Sequence, residues 1–375
     1  MARLKRQIYG VRSERTNRLI EQMELGLEDL EATATEDELA AEVAVAKATQ
    51  VASFVRKRPS ARKTVPDDVP RERIEAHVFA AERVHGDDTT VPVLAKGKTI
   101  TGRCWVYVRD DRPFGGRSPP AAMFYYSPDR RGLNPEAHLV RWHGILQADA
   151  FSGYTALYAR VRRPGPITQA ACWAHARRKF FELADIEAAA RARGEKKAPA
   201  PVSPPALEAV QRIDRLCGIE RALNGTSVER RLDSRRERSK PLVERLKAWM
   251  LAERAKFSGH NGVARAMAYM LVRWQAFAAS LDDGRICLSN DAAERALRGI
   301  ALGRKSWLFA GSDRGGHRAA AMYSAIVTAK MSGIDPQAWL ADVFARIAGH
   351  PAHRLDELLP WNWTPRVDAG ASAAA

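Results

Sequence analysis

Cysteine is scarce: there are four in 375 residues, Cys104, Cys172, Cys217 and Cys287, and no two form a C-x-x-C pair. That spacing encodes neither a disulfide framework nor a zinc knuckle, and it predicts core thiols in a reducing compartment. Long apolar runs are also missing. No stretch reaches the roughly 18 apolar residues of a membrane helix. The opening Met-Ala-Arg-Leu-Lys-Arg-Gln carries charge where a secretory signal has its apolar core. A cytoplasmic protein without membrane contact is the expectation. Acid is under-represented, since 44 Asp plus Glu stand against 60 Lys plus Arg and leave a formal net charge of +16. The excess points to a polyanionic partner and says nothing about fold. With 46% hydrophobic residues, wholesale disorder is excluded.

Residues 1–32 read as a helix, because Ile20, Met23, Leu27 and Leu30 recur at helical spacing between charged residues. The stripe serves either a second copy of the chain or its own core, and periodicity does not distinguish the two. Residues 33–75 turn acidic, then Ala-rich, then basic and Pro-punctuated, which predicts a linker. From 76 to 185, strands are expected over 83–87, 102–109, 121–126, 144–149 and near 167–173, with helices over 135–142 and after Gly153. Three strands on short connections followed by αβ alternation predict a mixed α/β sheet. Residues 186–281 read as a helical insertion, with Leu207, Val210, Ile213 and Leu216 on one stripe and Thr226-Ser-Val-Glu229 as a capping box. Residues 282–335 complete the α/β part, and 336–375 form a C-terminal tail.

Three acids attract attention by position. Asp87 and Asp149 each end a predicted strand, where an open α/β sheet binds ligands, although Asp also simply terminates strands. Glu294 lies on a helix capped by Ser289 or Asn290, sharing a face with Asp291 and Arg298, which by itself describes a surface ion pair. Convergence of the three would change that reading. Three crowded carboxylates repel one another and need cations to offset the repulsion. Oxygen ligands suit Mg²⁺ or Mn²⁺, and two such ions about 3.5 to 4 Å apart serve in-line phosphodiester displacement.

Longer motifs carry a resemblance. His85-Gly-Asp-Asp-Thr-Thr-Val-Pro, Gly144-Ile-Leu-Gln-Ala-Asp-Ala-Phe-Ser-Gly-Tyr, Ala171-Cys-Trp-Ala-His-Ala-Arg-Arg-Lys-Phe-Phe-Glu, Asn290-Asp-Ala-Ala-Glu-Arg-Ala-Leu-Arg-Gly-Ile and the tail Leu358-Leu-Pro-Trp-Asn-Trp occur in that order. Together they resemble the DDE transposases of insertion-sequence family 66 over about residues 76–363. The resemblance implies a ribonuclease-H-like fold with a helical insertion, and a catalytic, metal-binding triad of Asp87, Asp149 and Glu294. It further implies two Mg²⁺ or Mn²⁺ ions, DNA at transposon ends and target, a homo-oligomer, accessory proteins of the same element, and a place at the nucleoid.

Basic residues near the motifs are candidates for DNA binding: His175, Arg177, Arg178, Lys179, Arg298, Arg304 and Lys305. Trp307 and Phe309 either stack an unpaired base or pack in the core, the latter being the ordinary use. Two departures from the family stand out. The four-cysteine zinc-binding segment that members commonly carry before the first Asp is missing, and Ser289-Asn290-Asp291 stands where Asp-Asn-Asn is usual. Three functions follow: a strand-transferring DNA transposase, a truncated inactive DNA-binding remnant that modulates an intact transposase, and a host nuclease on the same fold.

Overall fold

The computed structural model describes residues 70–184, 203–307 and 309–365. The expected helix over 1–32 and most of the expected linker lie outside the described residues. The linker's last positions, 70–75, open helix α1 (Pro70–Phe79), with Pro70 at its first position. Among the described residues the five strands are β1 (Arg83–Ala95), β2 (Lys98–Arg109), β3 (Ala121–Ser127), β4 (Ile145–Ala148) and β5 (Thr168–Ala171). They form one sheet in the order β3-β2-β1-β4-β5. β1 to β3 are antiparallel, while β4 and β5 run parallel to β1. The mixed α/β expectation holds.

β1 corrects one expectation. It does not stop at Asp87 but continues to Ala95, pairing with β2 through a two-residue turn at Lys96 and Gly97, where Gly97 takes φ 70°. Pro92 within the run reads as a breaker. Beyond His85, however, β4 no longer pairs with β1, so this stretch is an edge, where a missing N–H is tolerated. The β-branched Thr89, Thr90, Val91 and Val93 favour the extended form.

Two layers cover the sheet. On one face α1, α2 (Leu133–His138) and a 3₁₀ segment, Ser152–Tyr158, bury Val84, Trp105, Tyr107, Met123 and Leu146. On the other, α9 (Asp291–Trp307) and α10 (Asp313–Met331) bury Val91, Val106, Val108 and Phe124. α11 (Pro336–Arg346) then packs its buried Trp339 against Ala329 of α10. α2 is shorter than the expected 135–142, and Trp173 opens a helix instead of closing a strand.

The remaining helices are α3 (Trp173–Ala184), α4 (Pro204–Ala222), α5 (Val228–Ser234), α6 (Lys240–Arg254), α7 (Gly262–Val272) and α8 (Trp274–Ala278). A single π turn, Arg235–Ser239, joins α5 to α6. Apart from α5, these helices share a core of Trp173, Phe180, Ile213, Leu246, Met250, Met267 and Phe277, as their apolar periodicity predicts. The cap of α5 is Ser227, not Thr226: its Oγ accepts from the Arg230 amide at 3.3 Å, while Thr226 Oγ1 donates to the Leu223 carbonyl. All four cysteines are free, with Cys104 and Cys172 buried and Cys217 and Cys287 half-buried.

Candidate active site

The register places the two aspartates. β1 and β4 pair Arg83 with Ile145, Val84 with Leu146 and His85 with Gln147, so two more steps bring Asp87 beside Asp149 where β4 has ended. Asp149 therefore lies at the carboxyl end of a parallel strand, as expected, whereas Asp87 is inside a long one. Strand alternation puts Asp87 on the Val106 side of the sheet, which α9 covers. Gly86 permits the close packing, since a Cβ there would sit 2.9 Å from Leu146.

Glu294 comes from α9, 145 residues beyond Asp149 in sequence, and a dense set of hydrogen bonds fixes the helix's start. Gln147 of β4 accepts from the Cys287 amide at 2.9 Å and donates to the Ser289 carbonyl at 3.0 Å. The fully buried Asn290 donates to the Gly86 carbonyl at 3.0 Å and bonds His85 Nδ1 at 3.1 Å. From the other side, the Trp173 amide donates to the Leu288 carbonyl at 2.8 Å. Segment 287–290 is thereby tied to β1, β4 and the start of α3, and α9 leaves it with Glu294 in its first turn.

Asp87, Asp149 and Glu294 line one cleft of about 550 Å³. Burial, then the charges of Asp149 and Glu294, push the Asp87 carboxyl well above the ordinary range. Burial also raises Asp149, against the opposing pull of Arg130, Lys179 and Arg273. The strongest like-charge influences on Asp87 are thus the two proposed partners. This donor set fits hard divalent cations: three half-buried carboxylates, two of which raise the third by repulsion. The three do not close on a single point. Among the described residues, the group whose ligand atoms all lie within 4.8 Å of one another is Cys172, His175 and Glu294.

Asp88, adjacent to Asp87, is held differently. Its carboxylate accepts from Arg130 at 2.9 and 3.1 Å and from Arg103 at 3.3 Å. Arg130 reaches Asp149 at 3.9 Å and covers the Phe151 ring at 4.2 Å. Arg130 had no motif to reveal it, because the sequence there reads as a turn after Ser127-Pro-Asp129. Tyr269 is a second cleft residue hidden from sequence, lying among the core positions of α7, with Lys179 Nζ 4.8 Å above its ring.

The basic candidates divide. His175, Arg178, Lys179, Arg298 and Arg304 line the cleft. Arg304 is buried and bonds the Thr90 carbonyl at 3.3 Å, which anchors α9 to β1. Arg177 is not brought there: it grips Asp214 of α4 at 2.6 and 2.9 Å. Asp291 also faces elsewhere, toward a depression shared with Arg295 and Arg177. Lys305 and Trp307 are placed on α9, and their side chains are outside the described set. Phe309 is 41% exposed, so its core use is corrected.

Comparison with known proteins follows the same lines. The Transposase IS66 family matches residues 69–318, the IS66 C-terminal element residues 324–361, and the Transposase C of IS166 homeodomain residues 1–74. The chain belongs to the IS66 family of transposases. It is similar to the uncharacterized protein y4hP of Sinorhizobium fredii (strain NBRC 101917 / NGR234), 43% identical over 496 residues covering 100% of this chain and 89% of that one. It also resembles y4jD of the same organism (37% identical; 78% of this chain, 56% of that one) and y4qI (38%; 77% and 52%). The chain thus spans about half the length of those two. No solved structure matches. Among the described residues, no helix is long and apolar enough to cross a membrane.

Proposed function

We infer that this chain is a DDE transposase whose ribonuclease-H-like core cuts and joins DNA strands, with Asp87, Asp149 and Glu294 holding divalent cations. The observation that carries the reading is the in-register placement of Asp87 beside Asp149 with Glu294 facing them in a cleft whose rim is basic. The strand order, three antiparallel strands followed by two parallel ones, supports the fold assignment. When bound, a pair of Mg²⁺ or Mn²⁺ ions supplies an activated attacking oxygen and stabilises the leaving oxygen. Arg178, Lys179 and Arg298 would position the phosphate backbone, and Arg130 would hold the Asp88 and Asp149 carboxylates in place.

The test is strand cleavage and joining on element-end DNA with Mg²⁺ or Mn²⁺. Asp87→Asn, Asp149→Asn and Glu294→Gln are expected to lower the rate by roughly 10²- to 10⁴-fold, the equivalent of several kcal/mol of charge stabilisation, while salt-sensitive DNA binding persists. Undiminished strand transfer in any of the three would sink the reading.

A second reading has its own support. The N-terminal match ends at 74 and the core match begins at 69, leaving no residues between them. The match to y4hP spans 496 residues against this chain's 375, so at least 121 of its positions have no counterpart here. That pattern suits a transposase that has lost an internal segment and acts only by binding DNA or joining mixed oligomers. DNA binding without metal-dependent cleavage, alongside an active undeleted relative, would favour this reading.

A further inference from the structure

Among the described residues, one ligand atom each from Cys172, His175 and Glu294 lies within 4.8 Å of the other two, and the three-acid reading uses these residues only in part. Cys172 precedes α3 and His175 lies three residues on, in its first turn, so one helix start presents sulfur and imidazole together. Glu294 approaches from the first turn of α9. His175 Nδ1 stands 3.5 Å from Glu294 Oε1. That is long for a charge-assisted hydrogen bond, at about 2.7 to 2.9 Å. It is close to the edge of a tetrahedron with bonds of about 2.0 to 2.1 Å, roughly 3.3 to 3.4 Å.

The sulfur has a second, independent peculiarity. The Asn290 amide, just ahead of α9, donates to Cys172 Sγ at 3.2 Å, and the His175 amide donates to it as well. Two backbone N–H groups from two helix starts aim at one buried sulfur. Against these donors, burial and then the charge of Glu294 push the thiol well above its ordinary range, so the sulfur keeps its proton until a cation replaces it. The imidazole and carboxylate beside it are the usual companion ligands of such a cation.

We propose that Cys172, His175 and Glu294 form a three-ligand site for a zinc-class divalent transition metal, with its fourth position open to the cleft that His175 and Glu294 line. Thiolate and imidazole select against Mg²⁺ and for Zn²⁺ or Co²⁺. On binding, the Cys172 S–H bond is replaced by a sulfur–metal bond and the proton leaves to solvent, with no change of oxidation state. Glu294 would give one oxygen to this ion and keep the other for the cations of the three-acid centre. The site is defined by sulfur and imidazole, so it stands whether or not that centre is catalytic.

The experiment is Co²⁺ titration of the full chain, purified reduced and stripped with chelator, and read by absorption. One equivalent is expected to give a thiolate-to-cobalt charge-transfer band with tetrahedral d–d bands, displaced by Zn²⁺ and not by excess Mg²⁺. Cys172→Ser should abolish the charge-transfer band, and His175→Ala should weaken binding by about tenfold or more. Cys287→Ser, which removes another thiol, and Asp87→Asn, which breaks the three-acid set, should both keep the band. Circular dichroism checks each variant's fold, and His175→Ala with the thiol intact decides the matter should Cys172→Ser not fold. A wild-type chain that binds Co²⁺ without a sulfur band overturns the proposal. So does a band that survives Cys172→Ser, or one that His175→Ala leaves at full affinity.

Discussion

Among the described residues, two clusters of charge, one buried and one half-buried, are resolved in opposite ways. At the base of the helical part, Arg231 and Arg235, each 1% exposed, share Glu220: Arg231 Nη2 meets its Oε1 at 2.5 Å and Arg235 Nε its Oε2 at 3.0 Å. The remaining guanidinium hydrogens go to carbonyls of Pro113, Ser280, Gly284 and Ile286 at 2.7 to 3.0 Å. Each guanidinium there finds its hydrogen-bond partners within the chain, although the single carboxylate serves two cations. In the cleft, Asp87 has Asp149 and Glu294 as its foremost charged influences, and their effect is repulsive. A closed knot of this kind fixes structure, and an open one recruits ions or a polyanion's counterions from outside. Both lie against the same stretch of chain, because the knot grips 280–286 immediately before the 287–290 segment that places Glu294.

The strongest way to break the comparison is to open the knot. Glu220→Gln leaves two buried guanidiniums without their carboxylate, and the expected loss is about 3 to 5 kcal/mol of unfolding free energy, read by urea denaturation. Replacing Glu220, Arg231 and Arg235 together by apolar residues should not restore stability, because several backbone carbonyls would lose their donors. Full recovery in that triple variant would show that packing, not charge matching, holds the region. Somewhat smaller is the effect of a third solution to burial, which is to stay neutral. Burial, then the nearby Arg71, holds His138 down at about 4, with its ring stacked on Tyr125 at 4.2 Å. The unfolded chain takes up this proton below about 6.5 and the folded chain only below about 4, so stability falls as pH drops through that window, by up to about 3 kcal/mol. His138→Phe should flatten the slope of stability against pH between 6.5 and 4.

The two charge sites also differed in how far the sequence disclosed them. The three acids could be read because each sits in a long motif, and because strand and helix periods put Asp149 at a strand end and Glu294 in a first turn. Asp87's true place inside β1 could not be read, since an acid after Val84-His85-Gly86 reads as a strand end until one knows that β4 leaves that edge open. Nothing in Arg231 or Arg235 sets them apart from the solvated basic run around them, because burial of an arginine depends on carbonyls some 50 residues away. Arg130 and Tyr269 were hidden for the same reason: a turn residue and a core-periodic residue become cleft residues only through tertiary packing. The apolar stripes that fill the helical core were legible throughout, as a period of 3.6 is local information.

The least costly perturbation separates the two regions most cleanly. Asn290 ties segment 287–290 to the sheet, and the proton arrangement of its neighbour follows from the partners: Arg83 donates to His85 Nε2, so His85 Nδ1–H donates to Asn290 Oδ1. Asn290→Ala strands that N–H and the Gly86 carbonyl, at a cost of about 1 to 3 kcal/mol. Gln147 still holds segment 287–290, so α9 should remain folded but loosely set. A displacement of about 1 Å at Glu294 is enough to lower a positioned reaction by roughly 10²-fold. Ser227→Ala, which removes the cap of α5 beside the knot, should cost about 1 kcal/mol and leave activity alone. Matched stability losses with unmatched activity losses would place the functional burden on the open site. Equal activity losses would mean that the closed knot and the open cleft move as one body.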